Sequence, residues 1–423
     1  MREIIVDFYK IGENGISIGK FKDKIVFSYG ILPEERAKIK INKEKKNFIE
    51  GELVEVLFSS PYRIQPKENH YLSCSPWQSF AYSFQIKLKK DILKQIFLKF
   101  ANYNIELDNF YSAQEIFGYR TKIEYTFLEE NSHYFYAFYK RGNSKEKIKL
   151  KNGCCLISEE VNKISLEILN LINERKIKNL KSLIVRKSRN EKYIHFSLLT
   201  MDKNQRFLYY DEKITGFIFV FSNPQSPAST FDEILTMWGK EYLEEKILNL
   251  YIRYPYNSFF QNNIELFEKA LQLMFDNSDN FKKIVDLYSG VGVIGLALKE
   301  KAKKILAVDV NKESIFYAIS NAKLNNIENF KALNLASEKI PQSILNNTDL
   351  LILDPPRSGI HKNLINLILK TRPKNIFYLS CNPITQARDF NFLKEKYKIK
   401  RIYALDFYPN TPHIESLIIL SLK

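Results

Sequence analysis

The stretch Lys283–Gly295, KIVDLYSGVGVIG, runs from a short apolar segment into a glycine loop and on into a second apolar segment. Lys283 to Leu287 reads as a buried strand, and Val291 to Lys301 as the helix that follows it. Glycines at 290, 292 and 295 allow a tight turn and let a ligand approach the backbone closely. Asp309, at the end of the next strand, can accept hydrogen bonds from ribose hydroxyls, and the spacing alone suits NAD as well as any other nucleoside cofactor. Asp286 separates the two. A carboxylate just before the glycines repels a pyrophosphate and suits a cationic end, such as the amino acid moiety of S-adenosylmethionine (AdoMet).

On either side of this unit, from about Phe281 to the C-terminus, strands and helices alternate. Lys304–Val310 precedes Lys312–Asn325, Asp349–Leu353 precedes His361–Thr371, and Lys374–Ser380 precedes Pro383–Lys396. Repeated βα units make a parallel sheet with helices on both faces. Two closing runs, Ile399–Phe407 and Ile414–Leu422, are expected to form an antiparallel edge. Ligands of such sheets bind outside the carboxyl ends of the strands. Two motifs fall there. Asp354-Pro355-Pro356-Arg357-Ser358-Gly359 is an acid followed by a stiff wall. D-P-P alone also occurs in amino-methyltransferases of adenine and cytosine, but a planar aromatic residue usually follows there and Arg357 stands here. Cys381, in IFYLSCNPITQARD (376–389), sits at a strand tip that Asn382 and Pro383 terminate. Most free cysteines are small buried hydrophobes; one at a strand tip can reach a substrate.

Upstream the pattern differs. Residues 1 to about 60 contain five short strand-like runs with turn residues every 8 to 12 positions, the signature of a small barrel. Arg36, Lys38, Lys40, Lys43, Lys45 and Lys46 crowd one segment against the single acid Glu44, either a positive strip for a phosphate backbone or a solvated edge that resists aggregation. Ser60 to Pro66 reads as a linker. Ser79–Tyr103 and Ser158–Arg175 carry helical periodicity, Phe117–Tyr139 alternates like a hairpin, and Thr230–Leu248 is expected to be helical.

The 423 residues carry a formal net charge of +16, which fits a polyanionic partner. No run is long and apolar enough to span a membrane, and the N-terminus lacks a signal-peptide pattern, so a cytoplasmic location is expected. Four cysteines without a C-x-x-C pair and five scattered histidines give neither a disulfide framework nor a zinc spacing, so no metal is expected.

Taken together, Asp286–Gly295, Asp309, Asp354–Gly359, Ser380–Pro383 and Asp406–Glu415 (DFYPNTPHIE) resemble the AdoMet-dependent RNA uracil-5-methyltransferases. Ser258–Asn263 is similar to that family's S-F-F-Q-x-N element, and Gly118–Lys122 to its Y-R-N-K element. The resemblance implies an α/β fold: a Rossmann-like AdoMet-dependent methyltransferase domain at 255–423, an N-terminal OB-like β-barrel (TRAM) at 1–62 and an α+β central domain at 63–254. The helix at about 79–103 is expected to pack on the catalytic domain. By position the family's cofactor contacts fall on Gln261, Tyr288, Gly290, Asp309 and Asp354, its nucleophile on Cys381 and its general base on Glu415. The implied function is methyl transfer to C5 of a uridine through a covalent Cys–C6 intermediate. The substrate is RNA, with 23S rRNA favoured because a barrel usually marks the rRNA enzymes; the tRNA T-loop is the alternative. A non-catalytic RNA-binding protein with a disused cofactor pocket is the rival from another class. No obligate protein partner is implied.

The resemblance has departures. Ser289 stands where the family usually has cysteine, and Asp309 replaces the commoner glutamate. Barrel-bearing members usually carry an iron–sulfur motif, C-x5-C-G-G-C, with a distant fourth cysteine. Here Glu68 takes its first position, Cys74 its second, no thiol follows in Ser75–Gln78, and only Cys154 or Cys155 is left as the fourth. Such a cluster needs four good ligands, so an iron–sulfur cluster is expected to be absent.

Overall fold

The computed structural model describes residues 2–226 and 228–423, which divide into two compact units. The first unit comprises residues 2–105, 138–148 and 408–414; the second comprises 106–137, 149–407 and 415–423.

In the first unit, strands Glu3–Ile11, Ser17–Phe21, Lys24–Ser28, Arg36–Glu44 and Phe48–Phe58 close into a barrel, with the last strand inserted between the third and fourth. Alternation drives the closure: Ile4, Val6, Phe8, Val26, Ala37, Ile39 and Ile49 point inward and are buried together. Gly51 is needed where the strand passes close to its neighbour, since a Cβ there would collide with an Ile39 methyl.

The proline-rich segment after the barrel is pinned rather than loose. Glu35, buried at its side chain, takes both oxygens to Arg63 at 2.6 Å and also accepts from the Leu32 and Ser60 backbone amides. Helix Tyr82–Ala101 follows and ends on Asn102 in the left-handed conformation, a common helix stop. Its buried Gln85 donates to the Trp77 and Phe80 carbonyls and to Asn410 Oδ1, and accepts from the Asn410 amide. These bonds hold residues 408–414 in the first unit.

In the second unit, Lys122–Glu130 pairs with the hairpin strand that begins at His133 on one side and with Leu180–Lys187 on the other. Ile194–Thr200, Gly216–Phe221 and Glu233–Gly239 continue that sheet. The helix expected over Thr230–Leu248 is therefore wrong: Glu233–Gly239 is a strand of this sheet and Tyr242–Ile247 a strand paired with Leu250–Pro255. Its apolar and charged residues satisfy both periods loosely, and pairing with Gly216–Phe221, buried at all but its last residue, decides.

The second sheet of this unit runs in the order Phe330–Asn334, Ala302–Asp309, Phe281–Leu287, Leu350–Leu353, Asn375–Ser380, Glu415–Leu422, Tyr397–Leu405, Asn109–Tyr111. The first five are parallel and the reversal of order beside Phe281–Leu287 is the topological switch point of a Rossmann-like fold. The short, mostly exposed strand Phe330–Asn334 escaped the sequence reading. The final pair is antiparallel as expected, but it is not the edge. Glu415–Leu422 is sandwiched between two strands, and Asn109–Tyr111, from far upstream, adds the outermost strand in parallel.

Candidate active site

The register of this sheet brings the candidate catalytic pair together. Asn375–Ser380 runs toward the site and Glu415–Leu422 runs away from it, with Ser380 opposite Ser416. One step further along the same ladder sets Cys381, just past one strand, against Glu415, the first residue of the other. Leu405 pairs with Glu415 from the far side, so the carboxyl is buried, and its Oε2 has no hydrogen-bond partner among the described residues.

Loops on either side fix Cys381. Asn382 caps helix Pro383–Leu393 and donates through Nδ2 to the Arg357 carbonyl at 2.8 Å, tying the S-C-N-P turn to the D-P-P-R-S-G wall. Gly359 has φ +79°, and a Cβ there would lie 2.6 Å from Asp389 Oδ2, so this turn admits only glycine. Buried Gln386 donates to the Tyr378 and Ser416 carbonyls, clamping the two central strands.

Three acids share this pocket. Burial pushes the Cys381 thiol up to about 11, with the Glu415 and Asp354 carboxyls adding to it and the Arg357 guanidinium opposing. Burial holds the Glu415 carboxyl well above the usual carboxylate range, again with Asp354 adding and Arg357 opposing. Asp354, at the carboxyl end of Leu350–Leu353, is pushed up to about 7 by its own desolvation. Cys381 and Glu415 keep their protons at neutral pH, Asp354 is about half ionised there, and the Arg357 guanidinium eases the ionisation of Cys381 and Glu415.

The cofactor side is a loop of left-handed residues: Tyr288 at φ +60°, Gly290 at +52° and Gly292 at +87°. Open space lies where a Gly290 Cβ would be, leaving the backbone accessible to a ligand. Asp286 accepts from the Gly295 amide through Oδ2, while Oδ1 is buried with no partner among the described residues. Burial pushes this carboxyl up to about 8, so it awaits a donor or a cation. Asp309 takes the Gly290 and Asn311 amides at 2.8 Å, closing the loop with one carboxylate while keeping lone pairs free. Val310, 70% exposed beside it, offers an apolar face that sequence reasoning missed, since one exposed valine carries no pattern. An unsatisfied acid, an accessible glycine backbone and an apolar shelf fit AdoMet.

Gln261 is buried on the loop before helix Ile264–Asp276, whose cap is Asn263. Thr121, from the segment likened to Y-R-N-K, donates its hydroxyl to the Gln261 carbonyl at 2.8 Å and its amide to the Asn262 carbonyl. Buried Arg186 donates to the Tyr256 carbonyl at 2.6 Å and to that of Ser258. Phe260 stacks on Tyr254 at 3.8 Å, while Phe259 is 71% exposed. Thr121 lies in a segment the sequence had singled out, whereas Arg186 had no signal in the sequence; both act by holding Gln261's loop.

The basic strip of the barrel is less cationic than its sequence. Arg36 bonds Asp7 at 2.7 Å, Lys38 lies 3.7 Å from Glu55 and Lys43 3.5 Å from Glu50, all across strand pairs. These acids lie in other strands, so only pairing reveals the neutralisation.

Residues 236–423 match the model of the tRNA (uracil-5-)-methyltransferase family. Uncharacterised RNA methyltransferases resemble nearly the whole chain: one from Caldanaerobacter subterraneus is 27% identical over 97% of both chains, and one from Fusobacterium nucleatum 29% identical over 98% of this chain and 94% of its own. The crystal structure of the Pyrococcus abyssi tRNA (uracil-54, C5)-methyltransferase in complex with S-adenosyl-L-homocysteine shares the fold, with TM-score 0.79 and 23% identity over 99% of this chain and all of that one. Among the described residues no helix is long and apolar enough to cross a membrane.

Proposed function

We propose that this chain, whose residues 236–423 carry the domain of the tRNA (uracil-5-)-methyltransferase family, is an AdoMet-dependent enzyme that methylates C5 of a uridine in RNA through a covalent link to Cys381. The observation that carries the mechanism is the ladder position of Cys381 against Glu415, with Asp354 and Arg357 at the same strand ends. Uracil C5 is a weak nucleophile. Cys381 releases its proton to solvent and adds as thiolate to C6, so that the electron pair of the C5–C6 bond becomes available at C5. AdoMet, when bound, would supply the electrophilic methyl group that C5 takes, its sulfonium leaving as the neutral thioether of S-adenosylhomocysteine. Glu415, once the proton that burial keeps on it has gone to solvent, removes the C5 proton; the C5–C6 double bond re-forms and the thiolate leaves. Asp286, Asp309 and the Gly290 backbone hold the donor, with Gln261 and Tyr288 beside it. The target base must leave its stack to meet both groups, so a looped or flipped uridine is the substrate.

The resting thiol makes activation the central requirement. A cationic sulfonium near Asp354 offsets the charge that opposes thiolate formation, and Arg357 acts in the same direction. Ordered binding, with the donor first, follows.

For the RNA, the barrel favours 23S rRNA. The Pyrococcus abyssi tRNA enzyme is similar over the barrel as well, which keeps the T-loop of tRNA as a second reading. Disrupting the gene and measuring 5-methyluridine by mass spectrometry in separated rRNA and tRNA tests both. Loss from rRNA alone is expected; loss from tRNA alone assigns the T-loop, and no loss from either overturns the proposal.

A further inference from the structure

The four-thiolate cluster suggested by the sequence resemblance does not fit the first unit. The loop that would hold it carries one thiol, Cys74, followed by Ser75, Pro76, Trp77 and Gln78. What the loop gathers instead is a mixed set of donors. The carboxylate of Glu68, the imidazole of His70 and the thiol of Cys74 lie with their ligand atoms within 4.8 Å of one another.

We infer that Glu68, His70 and Cys74 form a mononuclear transition-metal site, with zinc as its ion. Three observations carry this. First, the separations suit one small ion. Zinc bonds of about 2.0–2.3 Å to N, O and S at tetrahedral angles set neighbouring ligand atoms about 3.3–3.6 Å apart. His70 Nε2 lies 3.3 Å from Glu68 Oε2, and Cys74 Sγ lies 3.9 Å from the same oxygen.

Second, His70 is 3% exposed, yet neither ring nitrogen has a hydrogen-bond partner of accepted geometry among the described residues. An imidazole so buried and unsatisfied costs free energy unless something takes its lone pair. Phe138 packs 5.6 Å from the ring, making the apolar wall that excludes water and strengthens a coordinate bond.

Third, the carboxylate is oriented from behind. Gln78 Nε2 donates to Glu68 Oε2 at 3.1 Å and to Ser75 Oγ at 2.6 Å, and its own oxygen accepts from the Lys67 amide. Outer hydrogen bonds of this kind are how proteins fix metal ligands. A set of one sulfur, one nitrogen and one oxygen excludes magnesium and calcium, which take oxygen, and falls to borderline-soft zinc. The expectation of no metal rested on counting thiols and on looking for C-x-x-C. Glu68-x-His70-x3-Cys74 is invisible to both rules. Such a site would stitch the segment after the linker, replacing the cross-link a cluster gives.

The test uses the full chain, purified without oxygen from cells supplied with zinc and iron, with metal measured by plasma mass spectrometry. Wild type should hold about one zinc per chain through desalting. H70Q and C74S should lose it, and Q78L should weaken zinc affinity about tenfold by freeing Glu68. AdoMet binding, a property of the second unit, should be unchanged in Q78L. Metal-free wild type, or about four irons with sulfide per chain, overturns the inference. Should H70Q and C74S fail to fold, cobalt substitution in wild type decides: a thiolate-to-cobalt charge-transfer band supports Cys74 as ligand, and bound cobalt without that band refutes it.

Discussion

Cys74 and Cys381 are both partly buried thiols beside carboxylates, one in the barrel unit and one at the carboxyl ends of the methyltransferase sheet. Around Cys74, burial of His70 works against a charged ring, but the Cys74 thiol and the Glu68 carboxylate outweigh it and raise the imidazole to about 9. That pocket favours a positive charge. Around Cys381 the groups that set its proton are different: burial and the two further acids Glu415 and Asp354 keep it on, Arg357 opposes them, and the thiol reaches about 11. Similar residues thus favour a positive charge in one unit and hold a thiol protonated in the other. The third group decides: a base beside thiol and acid invites positive charge, whereas a second acid suppresses ionisation until a cation arrives.

The largest way to break this comparison is at the nucleophile. Cys381→Ala should lower methyl transfer at least about 10⁴-fold and abolish the stable adduct that wild type forms with 5-fluorouridine RNA. An adduct that persists in this variant would move the attack elsewhere.

Glu415→Gln should cost about 10² to 10⁴ in turnover while leaving AdoMet affinity intact. Because elimination stalls, protein–RNA conjugate should accumulate on denaturing gels. Ordinary turnover in this variant would exclude Glu415 as the base.

The dormant state of the thiol can be read from pH. With the thiol near 11, the rate of adduct formation should climb close to tenfold per pH unit from about pH 7 to 9 in wild type. Arg357→Gln removes an opposing cation, so its profile should move to higher pH and its rate at pH 7.5 fall about tenfold. A flat wild-type profile would mean the thiol is already ionised, and the contrast with Cys74 would fail.

Asp286→Asn should weaken AdoMet binding about 10- to 100-fold by calorimetry, since the buried acid that meets the cationic end is gone. Its effect on stability has a definite sign. The folded carboxyl keeps its proton to about 8, whereas the unfolded one loses it near 4. The unfolded state therefore binds fewer protons between those values, and this group's contribution to stability falls as pH rises from about 4 to 8. Asn should remove that loss, raising the melting temperature of the cofactor-free protein at pH 8 more than at pH 5. An equal shift at both would refute the raised value.

The smallest expected effect is at the barrel. Lys40, Lys45 and Lys46 form none of the described salt bridges, unlike Arg36, Lys38 and Lys43. Replacing those three by glutamine should flatten the salt dependence of RNA binding by roughly one unit of slope per lost phosphate contact. An unaltered slope would leave the strip as a solvated edge.

The sequence by itself determined the repeated βα units, the glycine loop, the barrel's alternation and the motif residues Asp286, Asp354, Cys381 and Glu415. Each is a local pattern, a period or a short spacing, and such patterns survive without knowledge of neighbours. Only the tertiary structure decided that Thr230–Leu248 is strand, that Glu415 lies on an inner strand beside Cys381, and that residues 408–414 fold with the barrel unit. It also decided that Asp7, Glu55 and Glu50 neutralise half the basic strip, and that His70 joins Glu68 and Cys74. The physical reason is common to all of these. Pairing register, burial and the charge on a side chain depend on what other segments of chain bring within a few ångströms, and that is fixed by packing rather than by adjacency in sequence.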